Sequence, residues 1–599
     1  MKKAALFVMA ALLLPLLGCK SESGAPEPRL CRVVLEEGEG FTAQTYTGQT
    51  SPGGELRFAL QLEDGYTVTG ADFGGCALER EPGGGITLVL PEVRYSTAVR
   101  LSVERTGAVL AYHANGGVRL DGGSAEEALE LPVTPSHLRR NTSIGVDLFT
   151  RPGYILSGWN TAPDGSGTAV GLGSRVTPSE GLVLYAQWSR WADPGLFQWE
   201  PLGDGAAITA YSGTEGVLTI PAELDGLPVR AIKDRAFAGA VCHTVILPDT
   251  LRTVENGAFD GCALEELYLF DGLRTISDYS FSNCENLRTL HINAALPPVY
   301  SGSYYAAFAD KFDRLLSLRD RRKIVLFSGS SARFGYDSEK IDAAFENFDV
   351  VNMGVFAYTN ALPQMELILT CMGEGDVLLH SPEFDAAQRQ FCTTANLDGA
   401  FFNMIEANYD ILSLLDLRQY GQVFTAFSAY LDSREGMDPR GYALSSSDFD
   451  EDGDPVDTPS YNEYGDYILY RPNAADERPI YGLPVDYTVR SFPQSAFIDP
   501  LNQEYRRFLD KGVNVYFTYA PRNRLAVSED STPEAQTELD AYFRKTLCVP
   551  VLGDVKNSLV SGVYLYGTDN HLSTEGAALR TQNIIAELAA HLEQEGGYD

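Results

Sequence analysis

The chain is 599 residues long, 44% hydrophobic and 11% aromatic, too long for one domain and apolar enough for several cores. Its formal charge of −35 argues against nucleic acid, whose phosphates need Lys and Arg, and against electrostatic docking on anionic lipid. Such a charge implies a solvated acidic surface.

Lys2 and Lys3 precede an apolar stretch from Ala4 to Leu14 that is too short to span a bilayer as a permanent helix, so residues 1–19 read as a secretion signal. The stretch ends in Leu16, Leu17, Gly18 and Cys19, which resembles the bacterial lipobox. The resemblance implies that Cys19 is lipidated and becomes the mature N-terminus, with the protein anchored to the cell membrane and facing outward. Residues 20–29, rich in Ser, Gly, Glu and Pro, then form a flexible tether. Export permits disulfides. The eight remaining cysteines show no C-x-x-C spacing and no histidine placed to suggest a zinc site, so most read as small buried hydrophobes. A Cys31–Cys76 disulfide stays open.

Residues 30–106 alternate apolar and polar positions between Gly-rich turns, which predicts a small antiparallel β domain without chemistry of its own. Residues 107–190 carry Tyr112-His113-Ala114-Asn115-Gly116-Gly117, then Gly158-Trp159-Asn160, and close on Ala186-Gln187-Trp188. This segment resembles the Listeria–Bacteroides repeat, a β-grasp-like module that serves as a spacer or protein-binding unit. Trp159 and Trp188 read as core aromatics, with sugar stacking as the alternative.

In residues 197–296, Ile232, Val254 and Ile276 recur at intervals of 22, as do Phe237, Phe259 and Phe281. Each unit can bury its apolar face only against its neighbours, so the segment predicts a short solenoid. It resembles the surface-protein subclass of leucine-rich repeats, which implies a protein partner on the sheet or a spacer that lifts the next domain.

From 304 to 599 strand and helix patterns alternate, with strands expected at 324–327, 350–353, 376–380, 513–519 and 562–566. That alternation predicts a parallel, doubly wound α/β sheet. An acidic, Gly/Pro-rich insertion covers 432–490. In it Asp448, Asp450, Asp452 and Gly453 match the start of a calcium loop, but its twelfth position is Pro459, so a solvated loop is the competing reading.

The first strand runs into Ser328-Gly329-Ser330-Ser331, a small-residue turn at the sheet edge where α/β folds bind ligands. A serine needs a base to become a nucleophile, and the base needs an orienting carboxylate. Of the three histidines after 304, His571 alone has an acid, Asp569, two residues before it in a loop. The order of these blocks resembles the SGNH (GDSL-type) hydrolases, whose domain is flavodoxin-like. The resemblance implies Ser330 as nucleophile, His571 as base, Asp569 as its orienter, and the N–H groups of Ser330 and Gly354 as the oxyanion hole. It places Glu383 where the family has a donating asparagine, and an ionised carboxylate cannot donate. It implies no cofactor and no metal.

The combined expectation is a lipid-anchored surface esterase or acyltransferase acting on acyl esters, O-acetyl among them, of a glycan or cell-envelope polymer. The rival is a non-catalytic surface adhesin with a degenerate α/β domain.

Overall fold

The computed structural model describes residues 30–36, 46–62, 66–80, 86–105, 109–132, 142–143, 148–176, 181–296, 298–300, 305, 307–435, 461–480 and 484–594. The signal segment, Cys19, the tether and the calcium-like stretch at 448–459 lie outside the described residues. The chain divides into two compact units, one of residues 1–107 with 134–136 and one of the remainder.

The first unit is all β. Strand Cys31–Leu35 pairs antiparallel with Thr47–Thr50 and parallel with Thr97–Val99, while Gly54–Leu60, Ile86–Val93 and Ala77–Arg80 form a second sheet. Along Cys31–Leu35 every second residue is buried, as a half-covered strand requires. Val33, Val68, Leu88, Leu90 and Val93 fill the core, and Cys31 and Cys76 are both free thiols.

The second unit begins with a five-stranded sheet in which Leu182–Arg190 lies between Val109–His113 and Tyr154–Asn160. Trp159 is buried, edge-on to Tyr112 and Phe149, so it serves the core. Half-buried Trp188 donates from Nε1 to the Ala114 carbonyl.

The solenoid follows as a parallel ladder of Val217–Thr219, Thr244–Ile246, Glu266–Phe270 and Thr289–Asn293. Phe237, Phe259 and Phe281 stack at centroid distances of 4.8 and 5.2 Å. That interval is close to the spacing of hydrogen-bonded strands, because each ring advances by one strand per turn. The sheet face expected to take a partner is partly covered from within the chain: Ile246 and Phe270 are buried in the core of the preceding module.

The solenoid does more than lift the α/β region. The phenylalanine stack continues into Phe424, at 4.3 Å from Phe281, on helix Val423–Arg434. That helix starts at Gln422 in a left-handed conformation with no side-chain cap of its own. Asp278 of the solenoid supplies the cap instead, accepting from the Phe424 and Thr425 N–H groups at 3.0 and 3.1 Å. Beneath it Arg434 donates to Asp271 at 2.7 Å and lies 3.3 Å from Glu406, with all three buried. One continuous apolar core runs from Phe197 to Val555.

In the α/β region four parallel strands, Lys323–Phe327, Asp349–Asn352, Val377–His380 and Asn514–Phe517, lie in the order second, first, third, fourth. The first strand is buried throughout, as a strand covered on both faces must be. The strand expected at 562–566 is absent. Ser561 accepts from the Val563 N–H and turns the chain into a short 3-10 segment, Gly562–Tyr564. The second half of the insertion is also more than a loop, because buried Asp466 accepts from Ser338 and from Asn352 Nδ2.

Candidate functional site

The carboxyl end of the first strand meets the loop before helix Thr574–Gln594, and the two bring Ser330 Oγ to 2.7 Å from His571 Nε2. The turn sorts its hydroxyls by direction. Ser331 is fully buried and its Oγ pairs with Ser328 Oγ at 2.9 Å, leaving Ser330 to face the histidine. Close approach fixes the glycines: a Cβ on Gly329 would come within 2.3 Å of the Ala357 Cβ, and one on Gly354 within 2.6 Å of the Ala332 Cβ.

His571 is held by its backbone and by stacking. Its N–H donates to Thr568 Oγ1 at 2.9 Å, and its ring lies 4.2 Å from that of Phe334. Burial, reinforced by the charges of Arg333 and Arg471, pushes the imidazole down to about 3. The ring is therefore neutral at pH 7, the state a base needs. Arg471 is itself buried and fixed by the Leu572 and Tyr467 carbonyls, each at 2.8 Å.

Two expected roles are not met by the geometry. Asp569 does not orient His571: its carboxylate accepts from the Ile480 N–H at 2.9 Å and from Asn523 Nδ2 at 3.3 Å. Among the described residues the His571 ring makes one hydrogen bond, to Ser330. The insertion and the segment after the fourth strand have claimed the acid. Gly354 packs against the turn, but its N–H donates to Asn352 Oδ1 at 2.9 Å, so an oxyanion would have to compete for it. The Ser330 and Ala357 N–H groups donate to no partner among the described residues.

Glu383 is 2% exposed and accepts from the Ser331 N–H, from Gln388 Nε2 and from Asn570 Nδ2 at 2.8, 2.8 and 2.9 Å. Burial raises its carboxyl above the usual range, and the Ser331 and Asn570 donors oppose the rise.

A pocket of about 310 Å³ lies beside this site, lined by Tyr519, Tyr564, Leu572, Arg580 and Ile584 among others; Ser330 does not line it. Among the described residues no group of His, Cys, Asp and Glu is placed to hold a metal ion, and no helix is long and apolar enough to cross a membrane. Sequence reasoning missed Phe334 and Arg333, although both lie within four residues of Ser330. It missed Arg471 and Asn523 because nothing local distinguishes them.

Residues 222–310 match the BspA type leucine rich repeat region in six copies. No curated protein matches the chain at significance. Two solved structures are similar over short stretches. One is the leucine rich repeat protein of T. pallidum, at 33% identity over 17% of this chain and 50% of that one, with a TM-score of 0.17. The other is a leucine rich cell surface protein from Faecalibacterium prausnitzii A2-165, at 18% identity over 18% of this chain and 55% of that one, with a TM-score of 0.09. The chain thus spans about half the length of each of these structures, and its residues 222–310 are a BspA type leucine rich repeat region.

Proposed function

We propose that the α/β region is a serine esterase or acyltransferase of SGNH type, acting on acyl esters such as the O-acetyl groups of a glycan or cell-envelope polymer. The observation that carries the reading is the 2.7 Å contact between Ser330 Oγ and a neutral His571 Nε2 at the carboxyl edge of a parallel sheet. In this mechanism Ser330 attacks the acyl carbon while His571 takes its proton. The tetrahedral oxyanion is held by the Ser330 N–H group, with Ala357, which packs on Gly329, as the neighbouring backbone that could add a second donor. His571 then returns the proton to the leaving alcohol, and water or a second hydroxyl repeats the cycle. Phe334 and Thr568, rather than Asp569, keep the ring in place.

The full chain should hydrolyse a small aryl acetate. Ser330→Ala should abolish this with the fold intact, whereas Ser331→Ala, whose hydroxyl faces Ser328, should retain most of it. Equal rates for wild type and Ser330→Ala sink the reading. The same reading places the protein at the cell surface through Cys19. Cys19→Ser should move it from the membrane fraction to the medium, and retention in the membrane fraction counts against the anchor.

The second reading is a surface binding protein whose α/β region no longer catalyses. It is favoured by the BspA type repeats and by an Asp569 committed away from His571. An inactive wild type leaves this reading in place.

A further inference from the structure

The third-strand loop holds an acid where a donor was expected, and its bonding pattern is specific. All three partners of Glu383 are donors: the Ser331 N–H in the nucleophile turn, Asn570 Nδ2 in the histidine loop, and Gln388 Nε2. Gln388 is itself locked in a capping box with Asp385. Glu383 forms no close ion pair among the described residues; directed hydrogen bonds meet its carboxylate, with Arg580 as a charged neighbour. Asn570 is fixed from its other side, where Oδ1 accepts from Arg522 Nη1 at 2.6 Å. Ser331 and Asn570 each adjoin one member of the Ser330–His571 pair, and their sequence separation is 239 residues, 570 less 331.

From this geometry we infer that Glu383 is a positioning residue: it ties the nucleophile turn to the histidine loop and thereby sets the Ser330–His571 separation. The inference rests on the esterase reading and adds to it the group that keeps two distant loops in register. A misplacement of about 1 Å in such a pair costs on the order of a hundredfold in rate. Gly329 belongs to the same device, since a Cβ there would sit 2.7 Å from Glu383 Oε1.

The test is a polarity swap in the full chain. Glu383→Gln keeps the shape but turns an amide N–H₂ toward a donor. Asn570→Asp sets a second carboxylate against the first. The double variant, Glu383→Gln with Asn570→Asp, restores the complement between the two loops: the introduced amide donates to the introduced carboxylate, whose other side Arg522 already suits, while Gln388 Nε2, which bonds the same Glu383 oxygen, keeps the mismatch of the single variant. Each single variant should lower kcat on an aryl acetate by roughly ten- to a hundredfold with KM within about twofold, and the double should recover at least about threefold over Glu383→Gln alone. Amide hydrogen exchange gives a readout that needs no turnover. Exchange at Ser331 and at residues 568–570 should quicken in both singles and slow again in the double. Losses that simply multiply in the double variant overturn the proposal, as does unchanged Ser331 exchange in Glu383→Gln. If wild type hydrolyses no ester, the esterase reading fails by itself and the exchange data alone decide the brace. Asn570→Ala keeps the buried acid and removes one of its three donors. It should lower kcat about tenfold, and an unchanged kcat beside an active wild type overturns the tie.

Discussion

The seam between solenoid and α/β region and the Ser330–His571 site handle buried charge in opposite ways. At the seam Arg434 sits between Asp271 and Glu406, and the Tyr409 and Tyr430 hydroxyls complete the arrangement. At the site His571 has Arg333 and Arg471 as its charged neighbours and no carboxylate on its ring. The seam pairs its buried cation with carboxylates at rest, as a structural joint needs to. At the site, proton transfer from Ser330 to His571 leaves the net charge unchanged but sets a negative tetrahedral oxygen among positive groups. Positive surroundings therefore suit the charged intermediate of the proposed reaction better than a resting imidazolium.

The largest way to break this contrast is Arg434→Met. It leaves two buried carboxylates without their cation and should cost about 3–5 kcal/mol. Because the core is continuous from Phe197 to Val555, urea unfolding should shift as one transition in both solenoid and α/β region. Two separated transitions would show that the seam is not a joint.

A smaller effect sharpens the description of the site. His571 in the folded chain protonates near pH 3, whereas an unfolded histidine does so near 6.5. Between those values the unfolded state binds the extra proton, so this residue's contribution to stability is complete above 6.5 and is lost as pH falls toward 3. His571→Gln should make stability less steep across that window. An unchanged slope would mean that the ring is not held neutral. By the same logic, the acid limb of kcat/KM should lie well below 6.5.

The smallest expected change is at the shared cap. Asp278→Ala removes the acceptor for the Phe424 and Thr425 N–H groups and should cost about 1 kcal/mol. The expected signature is faster amide exchange in the first turn of helix Val423–Arg434 with the solenoid strands unaffected.

The solenoid was legible because its information is periodic: Phe237, Phe259 and Phe281 each predict the others' environment. Ser330 and His571 were legible because their residue types sit at turns beside strongly patterned elements. Asp569 was misread because its direction is set by Ile480 and Asn523, which come from segments 89 and 46 residues away and carry no motif. The Gly354 error had a local warning. An asparagine two residues before a glycine is placed to accept that glycine's N–H, and Asn352 does so. Likewise Ser561 foretold the turn that replaces the expected strand at 562–566.

The phenylalanine stack that ends on Phe424 has a consequence for how such a chain can vary. A solenoid needs a lid on each open end, and here the last turn is closed by a helix of the α/β region. Phe424 meets the final ring, Phe281, the preceding module packs on Ile246 of the second strand and Phe270 of the third, and Phe197 and Tyr211 cover Phe237 at the other end. A turn could be added to this array only with both covers kept in register, Phe197 and Tyr211 on Phe237 and Phe424 on Phe281. The array is thus closed at both ends, and its length is tied to the elements that cover it.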